Sequence, residues 1–131
     1  MDNPDDKFYC MITGSSRITD YGTFRKKMDH LLTNHKDSSK VEIVTGDGKA
    51  GADELARKYA KERGIVVTMF DTNREKYGRQ AAARTSFAML SYIAGHEKRG
   101  CVAFGTENET ELARMMAEDF EDPIRVVNVA I

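Results

Sequence analysis

Short apolar runs alternate with longer amphipathic stretches along this chain, and that alternation predicts its secondary structure. Five runs read as strands: Phe8 to Thr13, Val41 to Thr45, Ile65 to Phe70, Cys101 to Phe104 and Ile124 to Val129. Several are unbroken apolar blocks, the pattern of parallel strands covered on both faces. Four stretches between them repeat at helical spacing. The first, about residues 20–34, sets Tyr21, Phe24, Met28, Leu31 and Leu32 on one side, with Asp20 placed to cap its N-terminus. In the second, Ala52, Leu55, Ala56, Tyr59 and Ala60 form a single buried stripe that Gly64 ends. The third and fourth run over about residues 79–94 and 107–120.

A β-α-β-α-β-α-β-α-β order with right-handed crossovers predicts an α/β protein. It is expected to be a single Rossmann-like, three-layer domain spanning residues 1–131, with residues 1–7 flexible. The five-stranded, mostly parallel sheet is expected in the order 3-2-1-4-5. Such a sheet switches direction between its first and fourth strands, so ligands are expected over the strand carboxyl ends there. The segments at those ends are GSSR, GDGKAG, DTNREKYG and GTENET.

Composition narrows the function. The chain has 131 residues and a net charge of -1, which gives no general pull toward nucleic acid or an anionic membrane. It has no room for a second, substrate-carrying domain. The N-terminus MDNPDDKFYC carries acids where a secretory signal carries cations, and no apolar run approaches the roughly 20 residues of a membrane span. A cytoplasmic protein is expected. Cys10 and Cys101 sit in apolar runs and read as small buried hydrophobes. His30, His35 and His96 show no ligand spacing, so no metal site is expected.

The chemistry gathers in the loops. Residues 45–53, TGDGKAGAD, place Gly46, Gly48 and Gly51 in the G-x-G-x-x-G spacing of dinucleotide-binding turns, between a strand and a helix. Asp71 lies twenty residues beyond Gly51, where a ribose-binding acid belongs. Yet the loop follows the second strand, carries Lys49 within the turn and precedes no catalytic domain, which argues against hydride transfer. A Walker loop is excluded because no Lys-Ser or Lys-Thr pair follows Gly51. What remains is a place for phosphate, since glycines admit close approach of backbone N–H groups and a helix N-terminus favours an anion. On that view a side chain at Gly51 should crowd the phosphate and weaken binding far more than stability. Gly14, Ser15, Ser16 and Arg17 offer a second phosphate-binding turn, with Arg17 able to pair bidentately. Gly105, Thr106 and Glu109 open the fourth helix, where Thr106 and Glu109 fit a capping box.

GSSRITDY, VTGDGKAGADELARKYAKERGI and KYGRQAAARTSFAML together resemble the YspA-like subgroup of the SLOG superfamily, in order, from about Met11 to Ala117. That family carries a GSR-x-x-x-D-Y start, an SGGARGAD-like loop and a GKAAG-x-x-RN-x-x-M segment. Here Ser16 stands at the family's arginine with Arg17 beside it, and the glycine loop is one residue longer. The Arg-Asn pair is matched loosely by Arg84 and Thr85, or by Thr85 and Ser86. The family's late Gly-Thr maps to Gly105 and Thr106, or with a gap to Thr110. The resemblance implies a nucleotide-derived, ADP-ribose-like ligand, bound by a bacterial or phage sensor or sequestering protein that forms homo-oligomers. No cofactor is implied beyond that ligand.

The candidate ligand-binding set is therefore Gly14, Ser15, Ser16, Arg17, Gly46, Asp47, Gly48, Lys49, Gly51, Asp53, Asp71, Arg84, Gly105, Thr106 and Thr110. Relatives in the wider superfamily include phosphoribohydrolases, whose PGG-x-GT-x-x-E motif is matched here in its GT-x-x-E half. The alternative function is thus hydrolysis of a nucleotide N-glycosidic bond, with Glu109 or Glu111 as the catalytic carboxylate.

Overall fold

The structure, a computed structural model, describes residues 6–130, without the side chains of residues 107–109. Its strands are β1 (Phe8–Gly14), β2 (Val41–Gly46), β3 (Val66–Phe70), β4 (Arg99–Phe104) and β5 (Val126–Val129). Its helices are α1 (Tyr21–Leu31), α2 (Ala52–Arg63), α3 (Arg74–Tyr77), α4 (Ala81–Ala94) and α5 (Glu107–Glu118). The sheet is parallel throughout, in the order β3-β2-β1-β4-β5. The predicted class, strand order and four long helices all appear. The expected flexibility of residues 1–7 falls mainly outside the described residues, although the Lys7 ammonium is seen 3.7 Å from Glu42.

Alternation along the strands builds two cores. Cys10 and Ile12 of β1, Val41 and Ile43 of β2, and Val102 and Phe104 of β4 face α1 and α2, meeting Phe24, Met28, Leu55, Ala56 and Tyr59. Tyr9, Met11, Val44 and Cys101 face the other way, toward Met89, Leu90 and Ile93 of α4 and Ala117 of α5. Burial of this kind stabilises by about 25 cal/mol per Å² of apolar surface, which is why the continuous apolar blocks were informative. Both cysteines are buried and reduced, and desolvation pushes the Cys10 thiol up to about 12.

The predicted helix ends hold where capping chemistry is local. Asp20 accepts from the Thr23 N–H at 3.1 Å and starts α1. Gly64 ends α2 in the left-handed region at φ 65°, ψ 32°. Boundaries move where tertiary contact decides. β4 begins at Arg99 because Arg99 and Gly100 pair with Tyr9 and Cys10, while the Phe8 ring packs against the bare face of Gly100. The DTNREKYG segment, read as a loop, contains the single turn α3, capped by Asn73 accepting from the Lys76 N–H at 3.3 Å.

Candidate functional site

The loop after β1 is welded to both neighbours. Gly14 has φ +146°, and a Cβ there would collide with the Phe104 carbonyl. The Ser15 N–H donates to that carbonyl at 2.9 Å, and the Ser15 carbonyl accepts from the Ala52 N–H at 3.0 Å. Ser15 is itself buried, its Oγ accepting from the Arg17 N–H at 3.1 Å, while Ser16 and Arg17 are exposed. The first loop thus rests directly on the start of α2.

That contact explains Gly51. It has φ +76°, and any Cβ would run into the Ser15 carbonyl and the Ser16 Cα. The expectation that a side chain there would chiefly obstruct ligand is corrected: the conflict is with the protein's own backbone. Gly46 and Gly48 behave alike, since a Cβ at either would lie 2.7 Å from Asp53 Oδ2. All three glycines of the motif leave room for parts of this chain.

Asp53 fills the space that Gly46 and Gly48 leave. Its Oδ2 accepts from the Gly48 N–H at 3.1 Å, and its Oδ1 lies 3.1 Å from the Thr45 hydroxyl. Thr45 shares that hydroxyl with the Ile12 carbonyl of β1, at 2.9 Å. Gly51 precedes α2 and gives it no side-chain cap, and Asp53 in its first turn complements the dipole while folding the loop inward. One turn on, Arg57 donates to the carbonyls of Gly46 at 2.9 Å and Gly48 at 2.6 Å.

A cleft of about 740 Å³ opens beside this loop. It is lined by Ser16 after β1, by Asp47, Gly48, Lys49, Ala50 and Asp53 after β2, and by residues 71–75 after β3. The Asp47 Oδ1 accepts from the Thr72 hydroxyl at 2.6 Å and from the Thr72 N–H at 3.2 Å. The Thr72 hydroxyl foremost, with the Thr72 N–H, holds the Asp47 carboxyl below its ordinary range. Asp71 accepts from the Asn73 N–H at 2.9 Å. Asp47, Asp53, Asp71 and Glu75 outnumber Lys49 and Arg74 in the lining, so the cleft is acidic. Sugar hydroxyls suit such carboxylates, and a phosphate there requires directed donors.

Ser16, Asp47, Gly48, Lys49, Asp53 and Asp71 of the candidate set therefore share one cleft. Gly14, Ser15, Gly46 and Gly51 form its supporting backbone, and Arg17 lies exposed on the first loop. The β4 end does not line it among the described residues. Gly105 is buried there, its N–H donating to the Val129 carbonyl at 2.9 Å, and buried Thr110 donates from its hydroxyl to the Thr106 carbonyl at 3.1 Å. The cleft thus lies to the β2 and β3 side of the expected switch point. Arg84 is on α4, its guanidinium 4.4 Å from the Tyr77 ring centre. Glu111 is exposed on α5; the side chain of Glu109, and with it the capping box, lies outside the described residues.

Sequence reasoning missed Thr45, Arg57 and Thr72. A signal existed for Arg57, four residues after Asp53 and so on the same side of α2. Thr72 carried none, because its role depends on β3 pairing beside β2. No group of three or more metal-ligating side chains occurs among the described residues, and no helix there is long and apolar enough to cross a membrane.

The family model described as YAcAr, the YspA, cpYpsA-related SLOG family, matches residues 10–77, just over half of the chain. That span runs from β1 to α3 and contains every residue that lines the acidic cleft. No curated protein matches the chain.

Proposed function

Because the chain belongs to the YspA, cpYpsA-related SLOG family, we propose that it binds a nucleotide-derived ligand of the ADP-ribose type. Its role on this reading is that of a sensor or sequestering protein. The observation that carries the reading is the convergence of the loops after β1, β2 and β3 on one cleft within the family-matched span. Ribose hydroxyls would donate to Asp47 and Asp71, and a phosphate would lie toward Ser16 and Lys49. Of the remaining candidates, Arg17 would reach the ligand from the edge of the first loop. Arg84, Gly105, Thr106 and Thr110 would meet only a ligand that extends beyond this cleft.

Binding is favoured over hydrolysis because Glu111, the hydrolytic candidate with a described side chain, does not line the cleft. The test is a thermal-unfolding panel with NAD, ADP-ribose, cyclic ADP-ribose isomers, AMP and GTP, followed by product analysis of any hit. A ligand at about 100 times its Kd should stabilise by roughly 2.7 kcal/mol, raising the unfolding midpoint by several degrees. ADP-ribose or a close relative is expected to give that rise with no product formed. Silence across the panel would overturn the reading, and release of free base would transfer it to the hydrolase.

A further inference from the structure

Two residues on successive turns of α2 grip the glycine loop by different groups. Asp53 takes the N–H of Gly48, and Arg57 takes the carbonyls of Gly46 and Gly48. A guanidinium is a planar, rigid fork, so holding two carbonyls at once sets the planes of two peptides. Among the described residues every peptide bond is trans. In a trans peptide the carbonyl of one residue and the N–H of the next point to opposite sides. With the Gly46 and Gly48 carbonyls drawn toward Arg57, the N–H groups of Asp47 and Lys49 are turned away from it. Asp47, Gly48 and Lys49 line the cleft, whereas Arg57 does not.

We propose that Arg57 is a positioning residue, which aims the backbone N–H of Lys49 into the cleft as a donor to a ligand phosphate. The inference rests on the reading that a phosphate-bearing nucleotide derivative binds there. It resolves how an acidic cleft accepts an anion. Asp53 is the loop's own anion and occupies the Gly48 N–H, and the Asp47 N–H faces its own carboxylate, so the donor offered to a ligand is the Lys49 N–H. Arg57→Lys keeps the charge but leaves a point donor on a flexible stem, which cannot hold both carbonyls in one plane.

The test uses the full, ¹⁵N-labelled chain titrated with inorganic phosphate and with ADP-ribose, following each backbone amide by NMR. In the wild type the Lys49 amide should move downfield as either probe saturates. Arg57→Lys should lose that movement and bind ADP-ribose roughly ten- to a hundredfold more weakly while keeping a folded spectrum. Arg57→Gln, which retains one donor nitrogen, should fall between and serves if Arg57→Lys does not fold. Wild-type shifts at Ser16 or Thr106 without one at Lys49 would overturn the inference and leave the binding reading standing. Unchanged affinity in a folded Arg57→Lys would overturn it too. No shift with either probe would overturn the binding reading and the inference together.

Discussion

Gly51 holds φ +76° with the backbone of Ser15 and Ser16 against the place where a Cβ would be. A non-glycine residue there meets both left-handed strain and a backbone collision, and neither neighbour can swing aside as a flexible side chain would. Gly51→Val should therefore destabilise the protein by about 3 kcal/mol or more, measured as ΔG from urea unfolding. A stability loss below about 1 kcal/mol with ligand binding abolished would instead return Gly51 to the ligand. The spacing of the three glycines was plain in the sequence, but what they accommodate was not. A missing Cβ reads the same whether the space beside it holds a phosphate or the Asp53 carboxylate, and only the folded neighbours tell these apart.

At the scale of elements, α2 organises the ligand end of the sheet at its N-terminus and is tied to α1 near its C-terminus. Asp29 of α1 accepts from the Tyr59 hydroxyl at 2.7 Å and from Arg63 Nε and Nη2 at 3.2 and 2.7 Å. The Arg63 guanidinium foremost, with the Tyr59 hydroxyl, holds the Asp29 carboxyl below its ordinary value. The unfolded chain therefore binds this proton more readily than the folded one. The contribution is present above the ordinary carboxylate pKa of about 3.9 and is lost as pH falls through the lower folded value. The urea midpoint should fall as pH drops below about 4, and Asp29→Asn should lower it at neutral pH while flattening that acid dependence. An acid slope identical in the variant would show that the tie contributes nothing.

At the scale of the whole molecule, α4 and α5 run side by side on the face opposite α1 and α2, with Phe87, Leu112 and Met115 about half exposed. Arg79 and Arg84 mark the N-terminal end of α4, and Asp119, beside the Arg114–Glu118 ion pair, the C-terminal end of α5. A two-fold, antiparallel docking of two copies would set the basic end of one against the acidic end of the other around that apolar centre. The proposal of a homo-oligomer is specified by this match. Sedimentation should give a dimer that Met115→Lys returns to monomer, and a monomeric wild type at micromolar concentration would refute it.

The alternation of apolar strands and amphipathic helices determined by itself the α/β class and the four long helices. Those follow from which residues must leave water and from the handedness of the crossovers, both written locally along the chain. Cap residues such as Asp20 and Gly64 were legible for the same reason. The tertiary structure alone decided that β4 starts at Arg99, that Asp53 belongs to the loop, and that Thr72 braces it. Each of these depends on a partner distant in sequence or on where a backbone group points, and neither is encoded in the spacing of residue types. The same holds for the cleft, which exists only where three loops from three neighbouring strands are brought together.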